Sequence, residues 1–557
     1  MPEETITSRN SDETSRVTTP VTFRVRLGLA GLALVGLLGV VATLDAAGDY
    51  PGLGQGPGLT VDEMFNVGQG CRLARGTWYW MIGGVSTKQL FDEREYLPDH
   101  PPLGRLALGI SHGTVTAVAS PRESTATPFA PTAARFGSAV AFAWLIYLVG
   151  RTAASWYGAA AGTWAALAVL LMPRLVAHAH LASLEMMITL AYSAAVLSLA
   201  DRWQSEEAPS WRRAVAPGLL LGLALLTKIQ AILLGPPVIL WALWRFRSRA
   251  IAPLACWGAI GSVVFLAGWP WLWLDPVDHL VEYFARTTER AQLSVFYLGE
   301  KTPDIAAPWH YSLVMFAVTV PLGLHALAVW GLASRHWKWW ADSRAILLVA
   351  CSTFPLILFA VPGIAVYDGT RLFLVVFPLW AILVGRGAGA LADWCRNRFQ
   401  RLSPGGILLI PSAILVSSSW GLIATHPCGL SFYNLAVGGP AGAHSLGFET
   451  TYWGDSLTRR FLLDVSRHVP ENDIIAVFPS LHPLQWTEFP KQVRVWDNGT
   501  PRLALYGTPP AASARWVMIF RRKADLPDFL RNTPPGLTPV VEVRRCGVLL
   551  AALYRQD

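Results

Sequence analysis

The run at 27–44, LGLAGLALVGLLGVVATL, gives way at once to DAAGDYPGLGQGPGLTVDEMF at 45–65. The first stretch carries no charge and is long enough to cross a bilayer core of roughly 30 Å. The second is too polar to span, and it carries Asp62 and Glu63 to the far side of that span. A cleavable signal peptide fits less well, because the polar leader at 1–26 is long for one.

The same reading repeats along the chain. Apolar runs follow at 132–150, 153–172, 179–200, 214–228, 229–244, 251–274, 309–332, 345–362, 372–391 and 406–425, so the sequence predicts about eleven transmembrane helices. The division at Lys228 stands against a single long kinked helix. Composition agrees: 53% of the 557 residues are hydrophobic and 15% are charged, where soluble domains carry about a quarter. An ordinary soluble enzyme is excluded, and so is disorder through most of the chain. The fold class expected is an all-α polytopic membrane domain followed by a small extracytoplasmic α/β domain.

Charge sets the expected sidedness. With the N-terminus cytoplasmic, the inner connections hold Arg151, Arg202, Arg212, Arg213, Arg245, Arg247, Arg249, Arg335, Lys338, Arg344, Arg386, Arg396, Arg398 and Arg401. The outer ones hold acidic groups such as Asp45, Asp49, Asp62, Glu63, Asp92, Asp99, Asp275 and Glu282. Basic inner loops are what insertion energetics favour, which explains the net charge of +8 without a nucleic-acid partner. The domains expected are a disordered cytoplasmic tail (1–26), a membrane domain (27–425) whose outer loop is 45–131, and an outer domain (426–557). In the last, 474–478, 516–520, 540–543 and 548–554 read as short strands.

Six cysteines without a CxxC pair exclude a disulfide scaffold and a zinc ribbon; Cys428 and Cys546, both expected outside, are candidates to pair. The glycines at 52–58 lack the Lys-Ser/Thr and preceding strand of a phosphate loop. Asn498-Gly499-Thr500 is a sequon by pattern. Gly268–Pro276, GWPWLWLDP, reads as an interfacial aromatic belt. His178, His180 and Glu185 raise a metal alternative, but two histidines at i, i+2 diverge on a helix, and no metal is predicted.

In the outer loop, Asp62-Glu63 precedes an aromatic stretch with Trp78, Tyr79 and Trp80, then DHPPLGR at 99–105. An aromatic amphipathic segment lies at the interface and would hold the two carboxylates at the membrane surface, where one could take a proton from an attacking hydroxyl. A solvated acidic loop is the plainer alternative. Lys228 and Arg371 are cations at the outer edges of apolar spans, placed either to neutralise a departing phosphate or to snorkel to lipid headgroups.

The order Asp-Glu, aromatic stretch, HPPLGRL resembles the first outer loop of the protein O-mannosyltransferases and their bacterial relatives in glycosyltransferase family 39, membrane enzymes of the GT-C fold. GLALLTK at 222–228, Pro308-Trp309-His310-Tyr311 and Tyr367-Asp368-Gly369-Thr370-Arg371 are similar to further segments of that family, and the resemblance covers 27–425. It implies a glycosyltransferase of the bacterial inner membrane that passes a hexosyl or pentosyl group from a polyprenyl-phosphate donor to a hydroxyl of a protein or an envelope lipid or glycan. It implies Asp62 as general base, with Glu63 beside it. His100, Glu185, Lys228, His310, Tyr311 and Arg371 are the expected substrate-binding groups. A transporter or flippase of lipid-linked sugars is the alternative from another class; the chain shows no internal repeat of the kind many transporters carry.

Overall fold

The computed structural model describes residues 20–92, 94–119, 130–204, 208–288, 292–334, 338–399, 401, 403–470, 473–479, 502–531 and 537–556. The sequon at Asn498 and nearly all of the 1–26 tail lie outside these residues. The first helix, Phe23–Val41, starts four residues before the uncharged run, so Arg24 and Arg26 sit on its first turn.

Six described helices are long and apolar enough to cross a membrane, or up to eight if two bent helix pairs each count as one span. The eleven apolar runs are all helical in part, but prolines and short lengths divide them. The helix Trp211–Leu225 has 15 residues with Pro217 inside, Ser343–Leu358 has 16 with Pro355 inside, and Ala159–Leu170 turns by 63° into Pro173–Ala179. Proline removes a backbone donor and crowds the preceding turn. The helices Pro131–Tyr157, Leu184–Arg202 and Val376–Arg398 are the most enclosed spans; Phe23–Val41, Ile229–Ala267 and Pro404–Thr425 present most of their surface outward.

Connections expected on the inner side do gather at one end. Arg245 donates to the Gln204 carbonyl at 3.0 Å, Arg344 reaches the Gln204 side chain, Trp156 donates to Asp201 and Tyr157 to Asp342. At the opposite end the helix Val61–Met81 crosses Pro102–Val118 at a glycine contact: a Cβ on Gly109 would lie 1.9 Å from the Gly70 carbonyl oxygen.

The C-terminal sheet runs in the order Arg502–Leu505, Ile474–Phe478, Trp516–Phe520, Val548–Gln556, Leu537–Arg545. The first three strands are parallel and the last two form an antiparallel hairpin. Period-two alternation divides its side chains. Ile475, Val477, Met518 and Phe520 face Phe461, Leu462 and Val465 of the helix Arg459–His468. Ala476, Val517 and Ile519 meet Leu526 and Leu530 on the other side. All four expected strands are present; Arg502–Leu505 was not expected. The outer loop is stitched to this domain by Gly58 N–H to the Asp455 carbonyl (2.8 Å) and Val61 N–H to the Trp453 carbonyl (3.3 Å).

The suggested Cys428–Cys546 pair is corrected: both thiols are free. Cys428 is buried against the Asp455 carbonyl, while Cys546 sits exposed at the hairpin turn.

Candidate active site

Four element ends in the helical bundle set the site. Asp62 stands in the first turn of Val61–Met81, and Glu185 in the first turn of Leu184–Arg202, where the helix dipole favours a carboxylate. Lys228 lies in extended backbone between Trp211–Leu225 and the 3₁₀ turn Ile229–Leu234. Arg371 opens the 3₁₀ turn Arg371–Phe373 ahead of Val376–Arg398.

These four groups meet. Glu185 Oε1 accepts from Lys228 Nζ at 2.6 Å and from Arg371 Nε at 2.7 Å. Arg371 Nη2 pairs with Asp62 Oδ2, and Nη1 with Asp368 Oδ2 at 3.3 Å. The Arg371 guanidinium lies 4.9 Å from the centre of the Trp453 ring, and Trp453 Nε1 donates to Asp368 at 2.8 Å. Glu185 and Lys228 are buried, whereas the Asp62 side chain keeps 22% of its exposure. Asp62 is therefore the carboxylate of this cluster that an incoming molecule can touch. Glu185 Oε2 is buried with no hydrogen-bond partner among the described residues, a cost that a ligand or water at this point would relieve.

Glu63 faces the other way. Consecutive helical residues diverge by about 100°, and Glu63 enters a fully buried pair with Arg135, Nε–Oε1 at 2.6 Å and Nη2–Oε2 at 2.8 Å. It also accepts from the Thr60 N–H and hydroxyl and from the Ala182 N–H. No contact joins it to Arg371 or Lys228 among the described residues.

The DHPPLGR segment folds on itself: Arg105, buried, takes both Asp99 oxygens (2.7 and 3.0 Å), Asn66 Oδ1 and the Leu97 carbonyl. Leu103 N–H donates to the Leu226 carbonyl, which ties the segment to the chain just before Lys228. His100 is carried inward, and burial pushes its imidazole down to about 3, with the Arg105, Lys228 and Arg371 charges acting in the same sense. It is a neutral group near physiological pH, a wall of the site and not a cation in it.

His310 and Tyr311 stand outside the charge cluster. His310 Nδ1 shares a 2.8 Å hydrogen bond with the Tyr297 hydroxyl. The Tyr311 hydroxyl accepts the Gly369 N–H, so it braces the turn that carries Asp368 and Arg371. Asp368 has φ +57, a left-handed conformation that Asp tolerates better than most residues. His178 packs against Trp453, and His180 turns to Thr43 and the Val176 carbonyl. Among the described residues no three His, Cys, Asp or Glu converge as a metal site.

An apolar groove of about 570 Å³, lined by Leu103, Gly104, Met187, Leu190, Leu223 and Thr227, reaches the residue before Lys228 but holds none of the four charged side chains. A larger cavity of about 850 Å³, lined by Leu44, Val115 and Phe136, contains none of the charged cluster.

Residues 128–273 match the family model of dolichyl-phosphate-mannose-protein mannosyltransferases, which bears out the resemblance read from the sequence. Among solved structures, the apo crystal structure of ArnT from Cupriavidus metallidurans is 14% identical, with 95% of this chain and 97% of that chain covered at a TM-score of 0.48. The same enzyme bound to undecaprenyl phosphate is 15% identical over the same shares, at 0.47. The S. cerevisiae protein O-mannosyltransferase Pmt1–Pmt2 complex bound to the sugar donor is 18% identical, with 50% and 39% covered, at 0.35. No curated protein matches the chain by sequence. The chain is thus a multi-pass membrane protein with an appended α/β domain. Its resemblance, over residues 128–273, is to the dolichyl-phosphate-mannose-protein mannosyltransferases.

Proposed function

We propose that the chain is an integral membrane glycosyltransferase that passes a sugar from a polyprenyl-phosphate donor to an acceptor hydroxyl at the outer face of the bacterial inner membrane. The observation that carries this reading is the meeting of Asp62, Glu185, Lys228 and Arg371, with an apolar groove that ends at Thr227, the residue before Lys228. A lipid phosphate requires that combination: cations at a membrane edge, with an apolar path for the chain.

Asp62 takes the proton of the acceptor hydroxyl, and the oxygen attacks the anomeric carbon. The bond from that carbon to the phosphate oxygen breaks with its electron pair, and polyprenyl phosphate leaves. Lys228 and Arg371 take up the charge that grows on the leaving phosphate, an effect that is strong because both are preorganised in a water-poor site. Attack opposite the leaving group inverts the anomeric centre. Glu185 holds the two cations in place, and Glu63 holds the helix that presents Asp62. The acceptor is a hydroxyl of a protein or of an envelope lipid or glycan.

The test is release of polyprenyl phosphate from a panel of polyprenyl-phosphate hexoses and pentoses by purified protein. Donor binding without turnover across a broad acceptor mixture would move the reading to a transporter of lipid-linked sugars.

A further inference from the structure

We infer that Arg522 of the C-terminal domain is a positioning residue for Arg371, so that this domain completes the donor site instead of merely capping it. The inference rests on the reading above, in which Arg371 meets the donor phosphate.

Arg522 follows directly on the strand Trp516–Phe520, past Arg521, and is remote in sequence from the membrane helices. Its Nη2 donates to Asp368 Oδ1 at 2.8 Å, and its Nε meets the half-exposed Asp525 at 3.1 Å. The other Asp368 oxygen accepts from Trp453 Nε1 at 2.8 Å and stands 3.3 Å from Arg371 Nη1. Asp368 thus joins two arginines, and its contact with Arg522 is the shorter one.

Two consequences follow. The first is geometric. Arg371 already serves Glu185 and Asp62; were Arg522 absent, Asp368 would be left with Arg371 and Trp453 alone. The guanidinium would then be drawn toward Asp368 and away from Lys228, the cation with which it shares Glu185. The second is electrostatic. The carboxylates of Asp62, Glu185 and Asp368 are faced by the cations Lys228, Arg371 and Arg522. Without Arg522 the buried cluster carries an excess negative charge, which repels an incoming phosphate.

The ring of Trp453 fits the same scheme. It lies under the Arg371 guanidinium while its N–H holds Asp368, so a second residue beyond the membrane helices reports on the same pair of groups. A docking contact elsewhere provides the control: Arg545 Nε donates to the His426 carbonyl at 2.7 Å and touches none of Asp368, Arg371 and Arg522 among the described residues.

The experiment uses the full-length protein in nanodiscs, with polyprenyl phosphate as the binding probe and a polyprenyl-phosphate sugar as substrate. Arg522→Gln is expected to weaken polyprenyl-phosphate binding by about tenfold and to raise KM for the donor accordingly. Arg522→Lys, which keeps the charge, is expected to recover most of that loss. Arg545→Gln is expected to lower thermal stability while leaving the probe's affinity within about twofold of wild type. Unchanged affinity in Arg522→Gln, or the same loss in Arg545→Gln, would overturn the inference. If Arg522→Gln does not fold, Asp368→Asn supplies the second arm: with the carboxylate neutralised, a further Arg522→Gln change would cost little, and a full tenfold cost there would overturn the inference. Wild-type protein that neither binds the probe nor turns over the donor would instead overturn the proposed function.

Discussion

Glu63→Gln separates the two neighbouring carboxylates that the sequence alone treats as a pair. Glu63 accepts from Arg135 twice, from the Thr60 N–H and hydroxyl, and from the Ala182 N–H, at distances of 2.6 to 3.1 Å. The amide keeps the shape but loses the charge, and either way it is turned its NH₂ faces a donor. Arg135 would be left as a buried cation held by the amide oxygen and the carbonyls of Leu44, Pro57 and Gly58, with no carboxylate paired to it. Removing one partner of such a buried pair costs about 3–5 kcal/mol. At roughly 1 °C per kcal/mol for a chain of this length, the melting temperature should fall by about 3–4 °C. Intrinsic tryptophan fluorescence during heating measures this, and donor turnover per folded molecule, measured well below the transition, should stay within about threefold of wild type. The double variant Glu63→Leu/Arg135→Leu should be less damaged than Glu63→Gln, because it leaves no unpaired charge. An unchanged melting temperature with abolished turnover would refute the reasoning and return Glu63 to the chemistry.

Two further outcomes follow from the same geometry. Lys228→Met removes one of the two cations on Glu185; polyprenyl-phosphate affinity should drop by about tenfold or more, and a titration in nanodiscs that gives wild-type affinity would count against the donor site. Burial pushes the Glu449 carboxyl up to about 7, against the pull of the Ala524 and Lys523 N–H groups and of Arg522. A carboxyl raised in the folded state binds a proton that the unfolded chain has already lost, so its contribution is full below about pH 4.5 and is lost as pH rises through about 7. Melting temperatures from pH 5 to pH 8 should therefore fall in wild type with a component that Glu449→Gln lacks; identical slopes in the two proteins would contradict this.

Much of the fold was legible because its signals are local. Apolar runs name the helices, and short runs rich in β-branched and aromatic residues at Ile474–Phe478 and Trp516–Phe520 name strands. What was not legible is where an apolar run bends: the run 309–332 turns by 106° between Tyr311–Thr319 and Leu322–Ala333, at Pro321. In the site, Glu185, Lys228 and Arg371 were each identifiable as charges in costly places, and Asp62 by its acidic outer loop and the family resemblance, but nothing in their spacing states that Glu185 takes both cations. Glu63 was expected beside Asp62; the structure turns it to Arg135, because neighbours on a helix diverge by about 100°. His310 and Tyr311 were expected at the substrate; the structure has Tyr311 bracing Gly369 and His310 on Tyr297. Asp368, Trp453 and Arg522 were missed as a set because they come together only when the outer domain docks; the buried left-handed Asp-Gly turn at 368–369 was the one local signal.

The measurement that tests the central claim most directly is single-turnover release of polyprenyl phosphate by wild type and Asp62→Asn, in protein shown to be folded by its melting curve. The account predicts release by wild type, a loss of about 10²–10⁴-fold in the variant as expected for a lost general base, and donor affinity largely retained through Lys228 and Arg371. Equal release by the two proteins would contradict it.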